Sequence, residues 1–317
     1  MLGRFLRCAS AVADRIIVVD HGSTDGTREI AAAHPKVELL DYASPGFDET
    51  ARRRLLLEAA REVPGKRFIL ALDADEALTA TVRHSADWKA IRHASPGTAV
   101  YMRWINVLPG GTRCWLPAGE IAFGFVDDGA PLPEGQIHFG RLPVTDSNPR
   151  LCVDDVGVLH YQYLNWRRMK SKQRWYQCWE FLNVLGKRPI QIYRQYHHMD
   201  AITGNDVVPL DSAWVADYER AGIDMTANEE AEFYWWDREV LRWIDEHGAH
   251  RFRKLDIWDV DWKQAGRFFG EPVNAERVRD PRGPVVRAVH RWLARSQPRA
   301  EDRGVRAIQR ALIPLGW

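Results

Sequence analysis

The first part of the chain alternates between short apolar runs and segments whose apolar residues recur at the period of a helix. The apolar runs are RIIVVD (15–20), KVELLDY (36–42) and RFILALDAD (67–75), and such runs are typical of strands buried on both faces. Segments 24–34 and 47–63 between them have helical spacing. This alternation predicts an α/β fold with a mostly parallel sheet, right-handed crossovers and flanking helices.

The pattern changes in the later part of the sequence. From about residue 98, short strand-like pieces divided by proline and glycine predict hairpins beside the sheet. From residue 165 onward, helical periodicity dominates. We therefore predict a sheet-containing domain over residues 1–180 and a helical carboxyl-terminal extension over residues 181–317.

The last predicted helix, 284–296, is amphipathic. Its apolar face contains Val285, Val289, Trp292 and Leu293, with arginines opposite. Basic amphipathic helices lie at anionic membrane surfaces, which makes 281–317 a candidate for peripheral membrane contact. Packing of this helix on the protein body, with its basic face in solvent, is the alternative.

Carboxylates follow two of the predicted strands. Asp20 ends the first strand, and Asp73 and Asp75 end the third. Ligands of parallel α/β sheets bind outside the carboxyl ends of the strands, and alternate residues of an extended segment point to the same side. Two carboxylates in one pocket repel each other unless a proton or a cation such as Mg²⁺ or Mn²⁺ lies between them. The alternative is a solvated acidic turn.

The segment DHGSTDGT (20–27) has the composition of a strand-to-helix turn. Gly22 permits a tight turn, and Thr24 or Asp25 is placed to cap the next helix. Asp20 is not needed for capping, so its carboxylate is a candidate acceptor for a base N–H or a ribose hydroxyl. The glycine spacing is not that of a dinucleotide-binding loop.

Three segments together resemble the amino-terminal half of a family 2 glycosyltransferase: ADRIIVVDHGSTDGTREIA, FDETARRRLLLEAA and FILALDADE. The resemblance is specific over residues 13–80 and extends more loosely to about residue 180. It implies a GT-A type, Rossmann-like fold and inverting transfer of a sugar from a nucleotide-diphosphosugar donor. It also implies a divalent metal, Mn²⁺ or Mg²⁺, at the acidic triplet.

The resemblance assigns roles to residues of the amino-terminal half. Asp20 would contact the nucleoside, with Asp25 on the same turn. Asp73 and Asp75 would contact the ribose, the metal and the diphosphate. Arg53, or its neighbour Arg54, would face the nucleotide from the intervening helix; the alternative for this arginine run is a solvated helix face.

Two further assignments fall in the segment 156–176. His160 resembles the histidine that completes the metal shell in this family, and imidazole suits manganese beside carboxylates. A basic run follows on a predicted helix and is placed to neutralise the departing diphosphate: Arg167, Arg168, Lys170 and Lys172. Of these we select Lys172.

An inverting transfer needs a base that takes the proton of the acceptor hydroxyl. The family supplies an aspartate or glutamate between the acidic triplet and the late histidine. Here Asp128 is the first candidate and Asp127 the second, because neighbouring carboxylates can raise one pKa. Glu120 and His138 are further candidates, and a polar hairpin turn is the alternative for the aspartate pair.

Composition limits the partners. The chain has 317 residues, a formal net charge of +1 and four cysteines far apart in the sequence. A net charge near zero gives no indication of nucleic-acid binding. The cysteine spacing indicates neither a zinc site nor a disulfide framework, and this fits a cytoplasmic location. No apolar run approaches the roughly 20 residues of a membrane helix. The resemblance implies a nucleotide-diphosphosugar donor and a glycan or lipid-linked envelope acceptor, at the inner membrane face if the tail docks there.

One departure from the family leaves an alternative open. Family members usually begin with a further strand, whereas this sequence opens with helical spacing over residues 2–13. If that strand is absent, the nucleotide pocket is incomplete, and a catalytically degenerate domain that binds a sugar or a partner becomes the rival hypothesis. A nucleotidyltransferase is disfavoured because no glycine-rich basic loop lies near the amino terminus.

Overall fold

The computed structural model describes residues 1–43, 48–133, 140–271 and 273–317. The chain is a mixed α/β protein that divides into two compact units. The first unit comprises Met1–Leu164 and Val208–Glu229, and the second comprises Asn165–Val207 and Glu230–Trp317. The second unit therefore begins earlier than the predicted residue 181, and a later segment returns to the first unit.

The described strands, in chain order, are β1 (Ile16–Asp20), β2 (Val37–Asp41), β3 (Phe68–Leu70), β4 (Glu76–Leu78), β5 (Ala99–Val107), β6 (Arg113–Trp115), β7 (Glu120–Val126), β8 (Arg150–His160) and β9 (Val207–Pro209). The described α-helices are α1 (Leu2–Ala9), α2 (Thr27–Ala32), α3 (Glu49–Arg61), α4 (Ala86–Ala90), α5 (Trp166–Asn183), α6 (Pro189–Tyr196), α7 (Ala216–Arg220), α8 (Trp235–His247), α9 (Trp262–Phe268), α10 (Pro284–Ser296) and α11 (Arg303–Leu312). Short 3₁₀ turns connect several of them.

The first predicted strand–helix–strand unit is present. β1 and β2 form a parallel two-stranded sheet in which Asp20 lies opposite Asp41. Helix α2 lies between the two strands in sequence and makes the crossover that a parallel pair requires. Periodicity therefore predicted both the elements and their parallel pairing.

The larger sheet is mostly antiparallel, which differs from the predicted mostly parallel sheet. It has seven strands, with β3, β7, β5, β6 and β9 in that order and with β8 joining β4 to β5. Of the pairs β3–β7, β4–β8, β5–β6, β5–β7 and β5–β8, the first four are antiparallel and β5–β8 is parallel. The hairpin strands after residue 98 form the centre of this sheet, because β3 pairs with β7 rather than with β1.

Residues of β5 alternate between two apolar layers of the first unit. Ile105 and Val107 pack with Tyr218 on one side, while Val100 and Met102 pack in a second cluster on the other. This period of two is the signature of a strand covered on both faces. The sheet therefore holds the ends of its strands in fixed positions.

The second unit has a core in which α5 packs against α8. Trp175 of α5 contacts Trp235 and Trp243 of α8, with ring centroids 5.9 Å apart in each pair. The buried Arg174 guanidinium donates to the buried Asp237 carboxylate at 2.9 Å. Apolar packing and a buried ion pair together fix these two helices.

The last predicted helix is present as α10, but its buried face differs by one position. Val289 and Leu293 are buried with Ile190 and Tyr193 of α6, and Val286 packs against them. Val285 is 73% exposed, whereas Val286, three residues before Val289 and seven before Leu293, lies on the buried stripe. No helix of the described chain is long and apolar enough to cross a membrane.

Candidate functional site

Several strand ends of the seven-stranded sheet meet at one edge of the first unit. His160, the last residue of β8, lies opposite Glu76, the first residue of β4, and beside Asn106 near the end of β5. Because Asp73 and Asp75 immediately precede β4, this pairing brings the acidic segment and His160 to the same end of the sheet. We call residues 73–76 the acidic segment.

Asp75 and His160 lie side by side and are both buried. The backbone N–H of Tyr161 donates to the Asp75 carbonyl at 2.9 Å, and His160 Nε2 lies 4.0 Å from Asp75 Oδ2. His160 Nδ1 lies 2.7 Å from Asn106 Oδ1. When Nδ1 donates to that oxygen, Nε2 of the neutral ring has a lone pair facing the carboxylate, an arrangement that favours a proton or a cation between them.

Arg141 neutralises the other two carboxylates of the acidic segment. Its guanidinium donates to Glu76 at 2.5 and 3.0 Å and to Asp73 Oδ2 at 3.0 Å. Burial raises the pKa of the Glu76 carboxyl, and the charge of Arg141 opposes that rise. Arg141 could not be predicted as a site residue from the sequence, because a single arginine after a glycine belongs to no recognisable motif.

Arg53 lies at the same cavity as the acidic segment. Arg53, Asp73, Glu76 and Arg141 all line a cavity of about 600 Å³. Arg53 donates to Glu49 Oε1 at 2.7 Å and to the Gly140 carbonyl at 3.1 Å, and burial lowers its pKa. Arg54 is exposed, so the position of Arg53 fits the predicted anion-facing role better.

Asp20 is held by its own turn and by an arginine. It accepts hydrogen bonds from the N–H groups of Gly22 and Ser23, each at 3.1 Å, and from Arg28 at 2.8 Å. Burial alone would raise the pKa of Asp20, but the bonds from Ser23 and Arg28 lower it. Arg28 also pairs with Asp41. Asp20 therefore neutralises Arg28 and stabilises the turn, and it does not line the cavity that contains Asp73.

Asp25 has a local role in the structure. Helix α2 begins at Thr27, with Gly26 as its N-cap residue at a φ of 79°. Neither Thr24 nor Asp25 is therefore the cap that the sequence predicted. Asp25 is exposed and accepts from the Thr27 N–H at 3.2 Å, and its pKa is lowered first by the Thr27 side chain and further by this backbone bond.

Asp127 occupies a buried ion-pair cluster. Arg61 donates to one carboxylate oxygen at 2.8 and 3.1 Å, and Arg67 donates to the other at 2.8 and 3.0 Å. Burial alone would raise the pKa of Asp127, and these bonds lower it. A carboxylate held in this way is a poor proton acceptor.

Asp127 and Asp128 also lie at the wrong end of the sheet for the predicted base. Because β7 runs antiparallel to β3, the residues after β7 lie beside the start of β3, and the Asp127 N–H donates to the Arg67 carbonyl at 3.0 Å. The acidic segment follows the opposite end of β3. Asp128 is exposed and accepts from the Ala130 N–H at 3.0 Å. The geometry argues against either aspartate as the catalytic base and supports the polar-turn alternative.

The sequence offered two further candidates for the catalytic base, Glu120 and His138. Glu120 begins β7 and therefore lies at the same end of the sheet as the acidic segment. His138 lies outside the described residues. Glu120 is thus the candidate from the sequence whose strand position suits the site.

Lys172 belongs to the second unit, on α5. Its Nζ lies 5.9 Å from the centre of the Tyr176 ring. The role of Lys172 at a diphosphate stays a prediction.

The arrangement of these side chains does not fit the predicted divalent metal. Within the described residues, no group of three or more His, Cys, Asp or Glu side chains is placed to hold a metal ion. Asp75 and His160 provide one pair of donors, whereas the Asp73 carboxylate, the expected third, is occupied by Arg141. An arginine that supplies positive charge to these carboxylates competes with a cation for the same oxygens.

Two buried donors at this site lack a hydrogen-bond acceptor among the described residues: Trp104 Nε1 and Asn106 Nδ2. The Trp104 ring stacks on His160 with centroids 4.5 Å apart. A buried polar group without a partner costs about 1–3 kcal/mol, and neither residue lines the cavity that contains Asp73.

The fold and the site define a mixed α/β protein with an acid–arginine–histidine cluster at one end of a largely antiparallel sheet. Comparison of the chain with models of known protein families and with curated proteins found no match.

Proposed function

We propose that the first unit is a glycosyltransferase of GT-A type that moves a sugar from a nucleotide-diphosphosugar donor to an acceptor hydroxyl. The observation that carries the proposal is that Arg53 and Arg141 line the same cavity as Asp73 and Glu76. The parallel β1–α2–β2 unit and the resemblance over residues 13–80 support the same conclusion.

The charges of the site suit the chemistry of the reaction. Breaking the anomeric bond develops negative charge on the departing nucleoside diphosphate, and fixed positive charges near that position lower the barrier. Arg53 and Arg141 supply such charges.

Proton transfer from the acceptor has candidates at this end of the sheet. Asp75 beside His160 forms a carboxylate–imidazole pair, and carboxylates and imidazoles are the commonest general bases of enzymes. We assign the Asp75–His160 pair as the proton acceptor in place of Asp128.

A sugar- or partner-binding module without turnover is the second candidate. The Arg141 contacts to Asp73 and Glu76 favour it, because they leave the acidic segment neutralised by the protein itself. Binding at the same cavity would then occur without transfer.

One assay separates the two functions. The full chain is incubated with a panel of nucleotide-diphosphosugars and simple glycoside acceptors, with and without Mn²⁺, and nucleoside diphosphate release is measured. We expect release that Asp75→Asn and Arg53→Met reduce by at least tenfold, with the exposed Arg54→Met as the matched control.

Thermal shift with the same donors completes the test. A rise in Tm without release under any condition would support the binding module. Neither a Tm shift nor release with any donor would reject both functions. If nucleoside diphosphate release requires Mn²⁺, the cation replaces Arg141 at the Asp73 carboxylate in the donor complex.

A further inference from the structure

Helix α8 of the second unit has tryptophans on its outer side as well as in its buried stripe. The buried residues of α8 are Trp236, Asp237, Val240, Leu241 and Ile244. They follow the helical period and are sufficient to dock the helix. Trp235, one position before this stripe, is 54% exposed, and Trp243 is half-buried. The two outer tryptophans therefore exceed what the packing of α8 requires.

A third tryptophan joins the two outer ones. The ring centroid of Trp175, on α5, lies 5.9 Å from that of Trp235 and 5.9 Å from that of Trp243, and Trp175 is buried. We call these three residues the indole patch. The two outer rings are eight residues apart on α8, a rise of about 12 Å along the helix axis. Because both contact the same buried ring, the patch is an extended aromatic surface of fixed shape.

The charges beside the indole patch are balanced. Arg242 donates to Glu239 at 2.9 Å, and Arg238 donates to Glu271 at 2.7 Å. Glu239 lies four residues from each outer tryptophan, the spacing of neighbours on a helix surface. Anionic membranes attract segments with an excess of basic residues, and these ion pairs leave no such excess. An arginine beside a carboxylate instead offers donors and acceptors to uncharged hydroxyl groups.

The exposed aromatic area is small for a protein partner. An aromatic side chain can bury roughly 150–250 Å², so two rings that are already partly covered offer less than about 500 Å². A standard protein–protein interface buries about 800 Å² on each partner. A short chain of sugar rings fits the area better, because the positively polarised C–H groups on one face of a sugar ring pack against the negative face of an indole.

We propose that the indole patch binds a neutral oligosaccharide. Sugar rings would stack on Trp235 and Trp243, and the Arg242–Glu239 pair would form hydrogen bonds with their hydroxyl groups. This inference does not rest on the proposed function, because these residues all belong to the second unit and none of them lines the cavity that contains Asp73.

The test titrates the full chain with neutral oligosaccharides in a calorimeter. The panel contains the hexamers of the cello-, malto-, laminari-, chito- and manno- series, with a galacturonic acid hexamer as the anionic comparison. We expect at least one neutral hexamer to bind with a Kd of a millimolar or less. Trp235→Ala should weaken that binding more than tenfold, whereas Trp235→Phe, which keeps an aromatic face, should weaken it much less.

Phe268→Ala is the matched control. Phe268 is 52% exposed, and its ring contacts Phe233 and Phe269 and, within the described chain, no ring of the indole patch. This variant should bind the oligosaccharide as the native chain does. Because Trp235 and Phe268 are both largely exposed, both alanine variants should keep Tm within a few degrees of the native value.

Several results would overturn the proposal. One is that no neutral hexamer binds at millimolar concentration, and another is that Trp235→Ala binds as tightly as the native chain. Loss of binding in Arg53→Met would place the sugar in the cavity of the first unit instead. A preference for the galacturonic acid hexamer that salt abolishes would assign the binding to a basic surface.

A second copy of this chain is the other occupant to be tested. A dimer in sedimentation velocity that Trp235→Ala dissociates would assign the indole patch to self-association and overturn oligosaccharide binding. Nucleoside diphosphate release is measured separately, and Trp235→Ala should leave its rate from the donor alone unchanged. Failure of this inference is therefore distinct from failure of the proposed function.

Discussion

Arg141 and Glu76 form a two-bonded ion pair across 65 residues of sequence, with donor–acceptor distances of 2.5 and 3.0 Å. The Glu76 side chain is fully buried and that of Arg141 is 20% exposed. Glu76 also accepts from the Asp73 N–H at 2.8 Å. The pair therefore fixes the conformation of the acidic segment and sets its charge.

We predict that this pair contributes to stability as a unit. Glu76→Gln and Arg141→Met should each lower the free energy of unfolding by about 3 kcal/mol, because each leaves a buried charge without its partner. The double variant should lose about 1–3 kcal/mol less than the sum of the two. Urea unfolding of the four proteins measures this coupling, and strict additivity would show that the pair is not formed.

Asp127 should be a stability residue. Asp127→Asn removes the charge that binds Arg61 and Arg67, and we expect a loss of roughly 2–4 kcal/mol in urea unfolding. The rate of any sugar transfer, expressed per folded molecule, should be unchanged. The neighbouring exposed Asp128→Asn is the control and should change stability by less than about 0.5 kcal/mol. A loss of turnover at unchanged stability would restore Asp127 as a base.

The pairing of β3 with β7 can be tested at Gly124. A Cβ added there would lie 2.4 Å from the Phe68 ring, so Gly124→Ala should cost about 1–3 kcal/mol by overpacking. Gly3, in α1, has no atom within 4 Å of an added Cβ, and Gly3→Ala should be neutral or stabilising by up to about 1 kcal/mol. Phe68→Leu in the Gly124→Ala background should recover part of the loss, and no recovery would contradict this pairing.

Asp256 should make the second unit sensitive to acid. Burial alone would raise its pKa, but His197, His290 and Arg282 lower it from 3.8 to about 2. A lowered pKa in the folded state contributes stability that is present above the unfolded value and is lost as pH falls through the folded value. The relevant window is therefore pH 4 to 2.

The comparison for Asp256 uses Asp256→Asn, which cannot titrate. Between pH 5 and pH 3, the native chain should lose about 1 kcal/mol more unfolding free energy than the variant loses. Urea unfolding at the two pH values measures the difference. Equal losses in both proteins would show that the pKa of Asp256 is not lowered.

Helix α11 provides the test of membrane contact. None of its residues is buried, and Ile308 is 47% exposed. Basic residues beside an exposed apolar side chain favour anionic membrane surfaces, each contributing about 1 kcal/mol. We expect the chain to sediment with phosphatidylglycerol vesicles, and Arg303→Glu with Arg310→Glu to reduce binding more than tenfold. Equal binding to phosphatidylcholine vesicles, or no effect of the charge reversal, would reject this contact.

Local pattern was sufficient for some elements and insufficient for others. The parallel pair β1 and β2 could be predicted because each apolar run and the helix between them lie within a short window of sequence. The partner of β3 could not, because the apolar run 68–70 is compatible with any neighbouring strand, and the choice of β7 depends on residues more than 50 positions away.

The sequence by itself determined that acidic side chains follow β3 and that a histidine ends β8, since composition and periodicity fix which residues stand at strand ends. Only the tertiary structure decided that Asp75 lies beside His160 and that Arg141 forms ion pairs with Asp73 and Glu76. It also decided that Asp127 lies at the end of β3 opposite to the acidic segment. The reason is physical: the charge state and role of a carboxylate depend on the nearest opposite charge and on burial, and both are supplied by segments that are distant in sequence.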